Sequence, residues 1–301
     1  MLDFLPVTLE AIPKLRPFFL HKTARICDMT PGVPVLWRDM YHTEYAICGD
    51  SLYFKIDYPG LGETFTLPLG GSRQEHFSQL AHYCCHRGIP ISFYPVPREE
   101  LETLQDFFPN SAAIPNRDAA DYLYRAEDLK YFRGKKLSGQ RNHVNRFLKT
   151  YGNWSFRTIQ LEDIPALKNF MTRYAAGHEK AAPSFHEDIA KTLEVLDHYE
   201  LYGFLGGMLL ADGEIAGFSL NEVLGDTMFT HIEKADRNFL GSYQMLVSQT
   251  AQAFCGPEIS FINREDDTGD PGLRTSKLSY HPVSLLDKYT VTIVDPCAHC
   301  S

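Results

Sequence analysis

The segment FINREDDTGDPGLRTSKLSYHP, residues 261–282, mixes acidic, basic and aromatic side chains directly after an apolar stretch. Carboxylates can take up a proton or bind an amino group, and neighbouring bases can bind an anion. Arg274 and Lys277 are three residues apart, so a helical turn would point both in one direction. We expect Asp266 and Asp267 to be catalytic, and the two bases to bind a phosphate or an ester oxyanion.

Two other interpretations of this segment fit less well. A calcium loop starting at Asp266 would need Gly at its sixth position and Glu at its twelfth, where the chain has Pro271 and Lys277. A solvated loop would not carry Leu273 and Leu278 among its charges. The other polar side chains of the segment either bind substrate or hold the loop in place. They are Asn263, Arg264, Glu265 and Tyr280.

A second polar group lies at the end of a predicted strand, in THIEKADRNFLGSYQML, residues 230–246. On an extended chain His231 and Glu233 share one face, and Lys234 points to the other. A His beside a Glu can deprotonate an amine or hydroxyl, so we expect both to be catalytic. An ion pair with a purely structural role would leave the same pattern. Lys234 and Arg237 are predicted to bind substrate.

Positive charge is concentrated in residues 130–149, which contain seven Lys or Arg and no acid, although the whole chain has a net charge of -9. Binding a phosphate backbone requires such local positive charge. The pattern predicts a basic helix at about 137–150, with Ser138 as its cap and with Val144, Phe147 and Leu148 facing inward. Four residues of this strip are expected to contact a phosphate-rich partner or a lipid phosphate. They are Lys135, Lys136, Arg141 and Asn142.

The composition is that of a soluble globular protein, since 44% of its 301 residues are hydrophobic and 22% are charged. The longest apolar run, residues 201–210, is about half of what a membrane span needs. The first residues lack a secretory signal pattern. We therefore expect a cytoplasmic protein with no transmembrane segment and at most peripheral membrane contact.

The seven cysteines are scattered and odd in number, which fits a reducing compartment. The C-terminal CAHCS contains one CxxC, but no second half of a zinc motif is apparent. We expect a loose tail with free thiols, no bound metal and no required cofactor.

The length predicts two domains, residues 1–128 and 129–301. Strands and helices alternate in the first. The second contains the basic helix, two more helices and a three-stranded meander with turns at residues 212–213 and 225–226. A helix, a strand, a short segment and a last strand follow. This order is that of the GNAT-type acyltransferase fold, so we expect an α/β (α+β) protein.

The loop before that later helix bears on the acyl donor. GNAT enzymes that use coenzyme A hold its pyrophosphate on backbone N–H groups within R/Q-x-x-G-x-G/A. Here Arg237 is followed by NFLGS, which is one residue longer before its first Gly and has Ser242 in place of the second. The sequence thus predicts an altered phosphate cradle.

Three motifs, GKKLSGQRNHVNRF, HIEKADRNFLGSYQML and the segment at 261–282, together resemble the soluble C-terminal domain of phosphatidylglycerol lysyltransferases. The resemblance extends over nearly the whole chain. It implies two tandem GNAT-like acyltransferase domains, as in the Fem-type aminoacyltransferases, each with a mixed, mainly antiparallel sheet flanked by helices.

The resemblance also implies an enzyme that transfers an aminoacyl group from aminoacyl-tRNA to a hydroxyl or amine acceptor, such as a phosphatidylglycerol-like lipid head group or a small amine. An aminoacyl-tRNA has no coenzyme A pyrophosphate, and its phosphate backbone suits the basic strip. Two alternatives stay open: an acyl-CoA-dependent N-acetyltransferase that uses acetyl-CoA, and a non-catalytic RNA- or protein-binding module.

Overall fold

The computed structural model describes residues 2–20, 24–176 and 183–299. The strands, in chain order, are β1 (Leu5–Pro6), β2 (Glu44–Cys48), β3 (Ser51–Tyr58), β4 (Gly62–Phe65), β5 (Leu69–Gly70), β6 (Ile91–Pro97), β7 (Ala112–Arg125), β8 (Trp154–Thr158), β9 (Leu205–Ala211), β10 (Glu214–Leu224), β11 (Thr227–Ala235), β12 (Phe261–Asn263) and β13 (Ser284–Ile293). The helices are α1 (Ile12–Leu15), α2 (Gly32–Leu36), α3 (Arg73–Arg87), α4 (Leu101–Phe107), α5 (Ala126–Tyr131), α6 (Ser138–Thr150), α7 (Ile164–Ala176), α8 (Pro183–Asp197), α9 (Tyr199–Tyr202), α10 (Ser242–Phe254) and α11 (Pro271–Leu278).

The chain forms two compact units. Unit 1 contains residues 1–121, 266–270 and 285–301, and unit 2 contains residues 122–265 and 271–284. These units differ from the predicted domains 1–128 and 129–301, because the last strand and the C-terminal residues belong to unit 1. The predicted domain boundary itself stays a prediction.

Unit 1 is built on a sheet with the strand order β1-β2-β3-β4-β6-β13, and β5 also pairs with β3. Only β4 and β6 run parallel, and α3 connects them. Ser72 caps α3, since its hydroxyl accepts the N–H of Glu75, and Gly88 ends the helix in the left-handed conformation. Aromatic rings of α3 and β6 fill the core beside it, with Phe77 and Phe93 at 5.8 Å in an edge-to-face contact.

Unit 2 repeats this plan, with the end of β7 followed by β12, β11, β10, β9 and β8 in the strand order. The meander β9 to β11 is antiparallel, β12 is parallel to β11, and α10 connects those two. The predicted hairpin turns occur at Asp212-Gly213 and Gly225. Phe147 of α6 and Leu246 of α10 are fully buried in one cluster on this sheet.

The same order occurs twice along the chain: three antiparallel strands, a helix, a strand parallel to the third, a short helix and a last strand. The last strands are exchanged, because the end of β7 pairs with β12 in unit 2 and β13 pairs with β6 in unit 1. The predicted α/β fold with two GNAT-like repeats and mainly antiparallel sheet is thereby confirmed.

Three local predictions are wrong. Ser138 is the first residue of α6 rather than its cap, because Leu137 takes the cap position. Leu148 is 42% exposed, although we expected it to face inward with Phe147. The C-terminal tail is not loose: residues 296–299 form a short 3-10 helix, and Cys297 is disulfide-bonded to Cys85 of α3. Burial of Pro296 explains why the tail stays on the unit.

Among the described residues, no helix is both long enough and apolar enough to span a membrane.

Candidate active site

The polar residues of unit 2 meet where two parallel strands separate. β11 and β12 pair over only three residues, from Thr227 opposite Phe261 to Phe229 opposite Asn263, and β11 then continues. The register between β10 and β11 shifts at this point, which makes His231 an extra residue on β11. Such a bulge redirects a side chain, and bulges are frequent beside active sites.

His231 lies between two carboxylates. Its Nδ1 is 2.8 Å from Oε1 of Glu265, and its Nε2 is 3.3 Å from Oε2 of Glu222. Burial disfavours the imidazolium, but hydrogen bonds to both carboxylates outweigh burial and raise the pKa of His231 to about 9. At neutral pH the ring is therefore protonated, and it holds the two carboxylates instead of accepting a proton.

Glu233 and Arg264 form a second buried pair, with Nη2 of Arg264 at 2.6 Å from Oε1 of Glu233. Burial disfavours the charged form of Arg264, but the carboxylate of Glu233 raises the pKa of Arg264 above its ordinary value. The guanidinium lies 4.5 Å from the ring centre of Tyr280, and burial raises the pKa of that tyrosine to about 12. Nη1 of Arg264 is buried and has no hydrogen-bond partner among the described residues.

The backbone at Glu265 is held in a strained conformation. Its φ of 57° lies in the left-handed region, which costs free energy for a residue with a side chain. Oδ1 of Asn263 accepts the N–H of Glu265 at 2.6 Å, and the ammonium of Lys277 donates to the carbonyl of Arg264 at 2.6 Å. Tyr124 donates to the carbonyl of Lys277. Asn263 and Lys277 thus fix the turn that aims Glu265 at His231.

Asp266 and Asp267 belong to residues 266–270, the part of the segment that lies in unit 1. Asp267 is fully buried, pairs with Arg117 at 3.3 Å and accepts the N–H of Gly269 at 3.0 Å. Asp266 is half-buried and accepts the N–H of Thr268 at 3.0 Å. Both carboxylates therefore shape the turn that they occupy.

Several backbone N–H groups in the loop between β11 and α10, where a coenzyme A pyrophosphate would bind, already donate hydrogen bonds within the protein. The N–H of Asn238 donates to Oδ1 of Asp236 at 2.8 Å, and the N–H of Phe239 donates to the carbonyl of Asp236 at 3.1 Å. That of Leu240 donates to the hydroxyl of Tyr151 at 3.0 Å. Asp236 also places a carboxylate where an anion would need positive potential.

The first residues of α10 also make contacts within the protein. The N–H of Ser242 donates to the carbonyl of Phe239 at 3.0 Å. Gly241 has a φ of 84°, and a Cβ at this position would lie 2.2 Å from the carbonyl oxygen of His143 in α6. The basic helix therefore packs directly on the loop.

The basic strip has an exposed part and a structural part. Lys135, Lys136 and Asn142 are exposed, and Lys136 lies 3.8 Å from Asp128. Arg141 is half-buried, and its Nη1 donates to the carbonyls of residues 132 and 134, so it stabilises the turn before α6.

The other predicted binding residues are Lys234, Arg237 and Arg274. Lys234 faces α8 and forms an ion pair with Asp188, on the sheet face opposite to Glu233. Arg237 is exposed, and Arg274 is half-buried on α11.

Sequence reasoning missed Glu222. It is nine residues before His231, and only the register of β10 against β11 brings the two together. Residues 216–222 of β10 are all buried, so no alternation along the strand marks this carboxylate.

Unit 1 contains a separate buried cluster of Cys27, Asp28, Asp121 and Lys288. The three potential metal ligands lie close together. The ammonium of Lys288 is 2.8 Å from Oδ1 of Asp121 and 3.4 Å from Sγ of Cys27, and it also pairs with Asp28. The lysine therefore takes the central position that a cation would need, and its pKa lies well above the ordinary value, because the two aspartates outweigh the effect of burial.

The fold defines a protein with two GNAT-like repeats. The family described as "Phosphatidylglycerol lysyltransferase, C-terminal" matches residues 23–292, and the chain belongs to this family, which supports an acyltransferase.

Among solved structures, a conserved protein of unknown function from Bacteroides thetaiotaomicron is similar to 97% of this chain and 100% of its own, with a TM-score of 0.88 and 27% identity. The C-terminal domain of a putative lysylphosphatidylglycerol synthetase from Agrobacterium fabrum shares the fold, with a TM-score of 0.66 at 14% identity, over 96% of this chain and 94% of that one.

A curated relative, an uncharacterized protein of Mycoplasmoides gallisepticum, is 27% identical over 197 residues. The match covers 65% of this chain and 62% of the relative, which is less than two thirds of the relative's length.

Proposed function

We propose that this protein transfers an aminoacyl group from aminoacyl-tRNA to a hydroxyl or amine acceptor. The observation that carries the proposal is the closed loop at residues 236–241. In a GNAT-type domain that binds coenzyme A, this loop must offer backbone N–H groups to a pyrophosphate. Here the N–H groups of Asn238, Phe239 and Leu240 donate to the protein itself, and the carboxylate of Asp236 accepts the first of them.

The exposed bases around α6 support tRNA as the donor. Lys135 and Lys136 lie just before the helix, and Arg146 and Lys149 are exposed on it. A protein with a net charge of -9 repels nucleic acid over most of its surface, so a local basic strip decides where a phosphate backbone can bind.

Within unit 2, Arg264 is the residue we assign to the acyl group. A buried guanidinium N–H without a partner costs free energy, and a substrate oxygen that accepts this hydrogen bond recovers it. An ester carbonyl gains negative charge in the transition state of acyl transfer, so this donor would stabilise the reaction most where charge develops. Glu233 orients the guanidinium through its ion pair.

Glu265 is the candidate for the amino group or for the proton of the acceptor. Its side chain is 22% exposed, more than those of Glu222 and Glu233. His231 then acts as a positioning residue, because its Nδ1 at 2.8 Å orients the carboxylate of Glu265. The predicted direct catalytic roles of His231, Asp266 and Asp267 stay predictions.

The family description, which names phosphatidylglycerol, supports a lipid acceptor. A lipid head group is the acceptor we favour, reached through peripheral membrane contact, with a small amine as the alternative. The cytoplasmic location expected from the sequence stays a prediction.

Binding measurements test the donor. The purified protein is titrated with uncharged tRNA and, separately, with acetyl-CoA at two salt concentrations. We expect micromolar tRNA binding that weakens with salt and is weaker in Lys135→Ala/Lys136→Ala, while Lys168→Ala, which changes a lysine elsewhere in unit 2, leaves the affinity unchanged.

Tight acetyl-CoA binding without tRNA binding would favour the acetyltransferase alternative, which the exposed Arg237 beside the loop keeps open. Binding of tRNA without any transfer would favour the non-catalytic module.

A further inference from the structure

The segment that leads from the end of α5 to α6, residues 131–136, presents an aromatic ring beside a guanidinium. Tyr131 is 43% exposed, and Arg133, which is also exposed, places its guanidinium 4.6 Å from the centre of that ring. A stacked pair of this kind offers flat surfaces on which another flat group can stack. Unpaired nucleic-acid bases bind proteins in this way, on aromatic rings and on guanidinium planes.

The backbone of this segment is held in place from two sides. Phe132 and Gly134 both have a positive φ, and Nη1 of Arg141 donates to the carbonyls of both residues. Just before the segment, the hydroxyl of Ser248 in α10 donates to the carbonyl of Lys130. The exposed pair is therefore presented on a fixed backbone, which lowers the entropy cost of binding a partner.

Positive charge lies next to these flat surfaces. Among the described residues, neither Arg133 nor Lys135 forms an ion pair. Lys136 lies 3.8 Å from Asp128, but its side chain is 55% exposed, so this pair is weak and leaves the ammonium accessible. The segment thus offers cations for phosphates together with a stacking surface for a base, and single-stranded RNA carries both groups.

The segment also lies next to the candidate active site of unit 2. Phe132 is buried, and its ring centre lies 5.8 Å from that of Tyr280. The ring of Tyr280 in turn lies 4.5 Å from the guanidinium of Arg264. The neighbours of Phe132 on either side are the exposed Tyr131 and Arg133, so an RNA strand stacked on them has the acyl-binding guanidinium close by.

We propose that residues 131–136 bind the unpaired end of the aminoacyl-tRNA, with a base stacked on Tyr131 and Arg133 and with phosphates on Lys135 and Lys136. This inference rests on the proposed function, because it takes aminoacyl-tRNA as the donor. The unpaired end carries the aminoacyl ester and has to reach Arg264. The bases of the paired stem are stacked inside the duplex and are not available to a protein ring.

The test is fluorescence anisotropy of the full chain with a labelled single-stranded RNA of about 12 nucleotides and with a duplex RNA of the same length. We expect Tyr131→Leu to weaken single-strand binding at least about fivefold and to leave duplex binding unchanged, because only unpaired bases stack on the ring. The salt dependence should stay the same, since no charge is removed. Tyr131→Phe keeps the ring and should keep the affinity. Leu148→Ala, which truncates another exposed apolar side chain of the basic strip, is the control and should also keep it.

Equal single-strand affinity in wild type and Tyr131→Leu would overturn this inference and leave tRNA as the donor. If Tyr131→Leu weakens binding to phosphatidylglycerol vesicles but not to RNA, the segment is a membrane-contacting surface, and the inference is wrong. A tRNA that binds through Tyr131 but donates no aminoacyl group would contradict the proposed function alone. A wild-type protein that binds neither RNA would contradict both.

Discussion

His231 is a buried imidazolium, and its raised pKa makes part of the folding free energy depend on pH. The ordinary pKa of a histidine is about 6.5. In the folded protein burial lowers the pKa of His231, but the hydrogen bonds to Glu222 and Glu265 outweigh this effect and raise it to about 9. The stabilisation is fully present below about pH 6.5 and is lost as the pH rises through about 9. For a shift of this size it amounts to about 3 kcal/mol.

We therefore predict that urea unfolding, measured from pH 6 to pH 10, will show a loss of stability in this window. Glu222→Gln should reduce the loss, because it removes one of the two carboxylates that favour the charged ring. The exposed His143 provides the control, since His143→Gln should leave the pH dependence unchanged. An unchanged profile in Glu222→Gln would show that the imidazolium is not what titrates.

Arg264 and Glu233 should be strongly coupled. Arg264→Met leaves a buried carboxylate without its partner, and we expect a loss of about 3 to 5 kcal/mol in the free energy of unfolding. The double variant Arg264→Met/Glu233→Leu should recover most of that loss, because no charge stays buried. A cost below about 1 kcal/mol for Arg264→Met would mean that the pair is solvated.

At the scale of elements, the contact between α6 and the loop before α10 can be tested with two glycines. Gly241 and Gly213 have nearly the same φ, 84° and 85°, but a Cβ at Gly213 would meet nothing within 4 Å. Gly213→Ala should cost about 1 to 2 kcal/mol of backbone strain. Gly241→Ala should cost distinctly more, because its Cβ collides with the carbonyl of His143.

Denaturant unfolding of the two variants measures the difference. Equal costs would mean that α6 moves away easily, and the loop would then be open to a pyrophosphate after all.

The sequence predicts most elements well where a local signal exists. The meander around Asp212-Gly213 and Gly225 has its turn residues, a helix follows it as expected, and Arg274 and Lys277 lie together on a helix, α11. Local signals do not report register, however. Glu222 reaches His231 only through a bulge, and the disulfide joins residues 212 positions apart, so neither could be predicted from spacing.

β7 shows the same limit. Only its last residues, DYLYR, have the alternating apolar pattern of a strand, whereas the strand begins at Ala112 and runs through Pro115. Its first half is mostly exposed, so hydrophobic periodicity is absent there.

At the scale of the whole molecule, charge is segregated, with a basic strip on an acidic protein. If this strip binds a phosphate backbone, each neutralised phosphate contributes close to one unit to the slope of log affinity against log salt. We predict that Lys135→Ala/Lys136→Ala reduces the slope for tRNA by about one to two units. Lys168→Ala should leave the slope unchanged, and an equal change in both would point to a general charge effect.

The most direct test of the central claim is transfer itself. A tRNA pool charged with radiolabelled amino acids is incubated with the protein and phosphatidylglycerol vesicles, or with a small amine, and label is followed into the lipid or amine fraction. We predict transfer that Arg264→Lys slows by about a hundredfold, because a carbonyl-oxygen donor is lost, and that Lys168→Ala preserves. Label that stays on tRNA, while acetyl-CoA supports acetylation of the amine, would contradict the account.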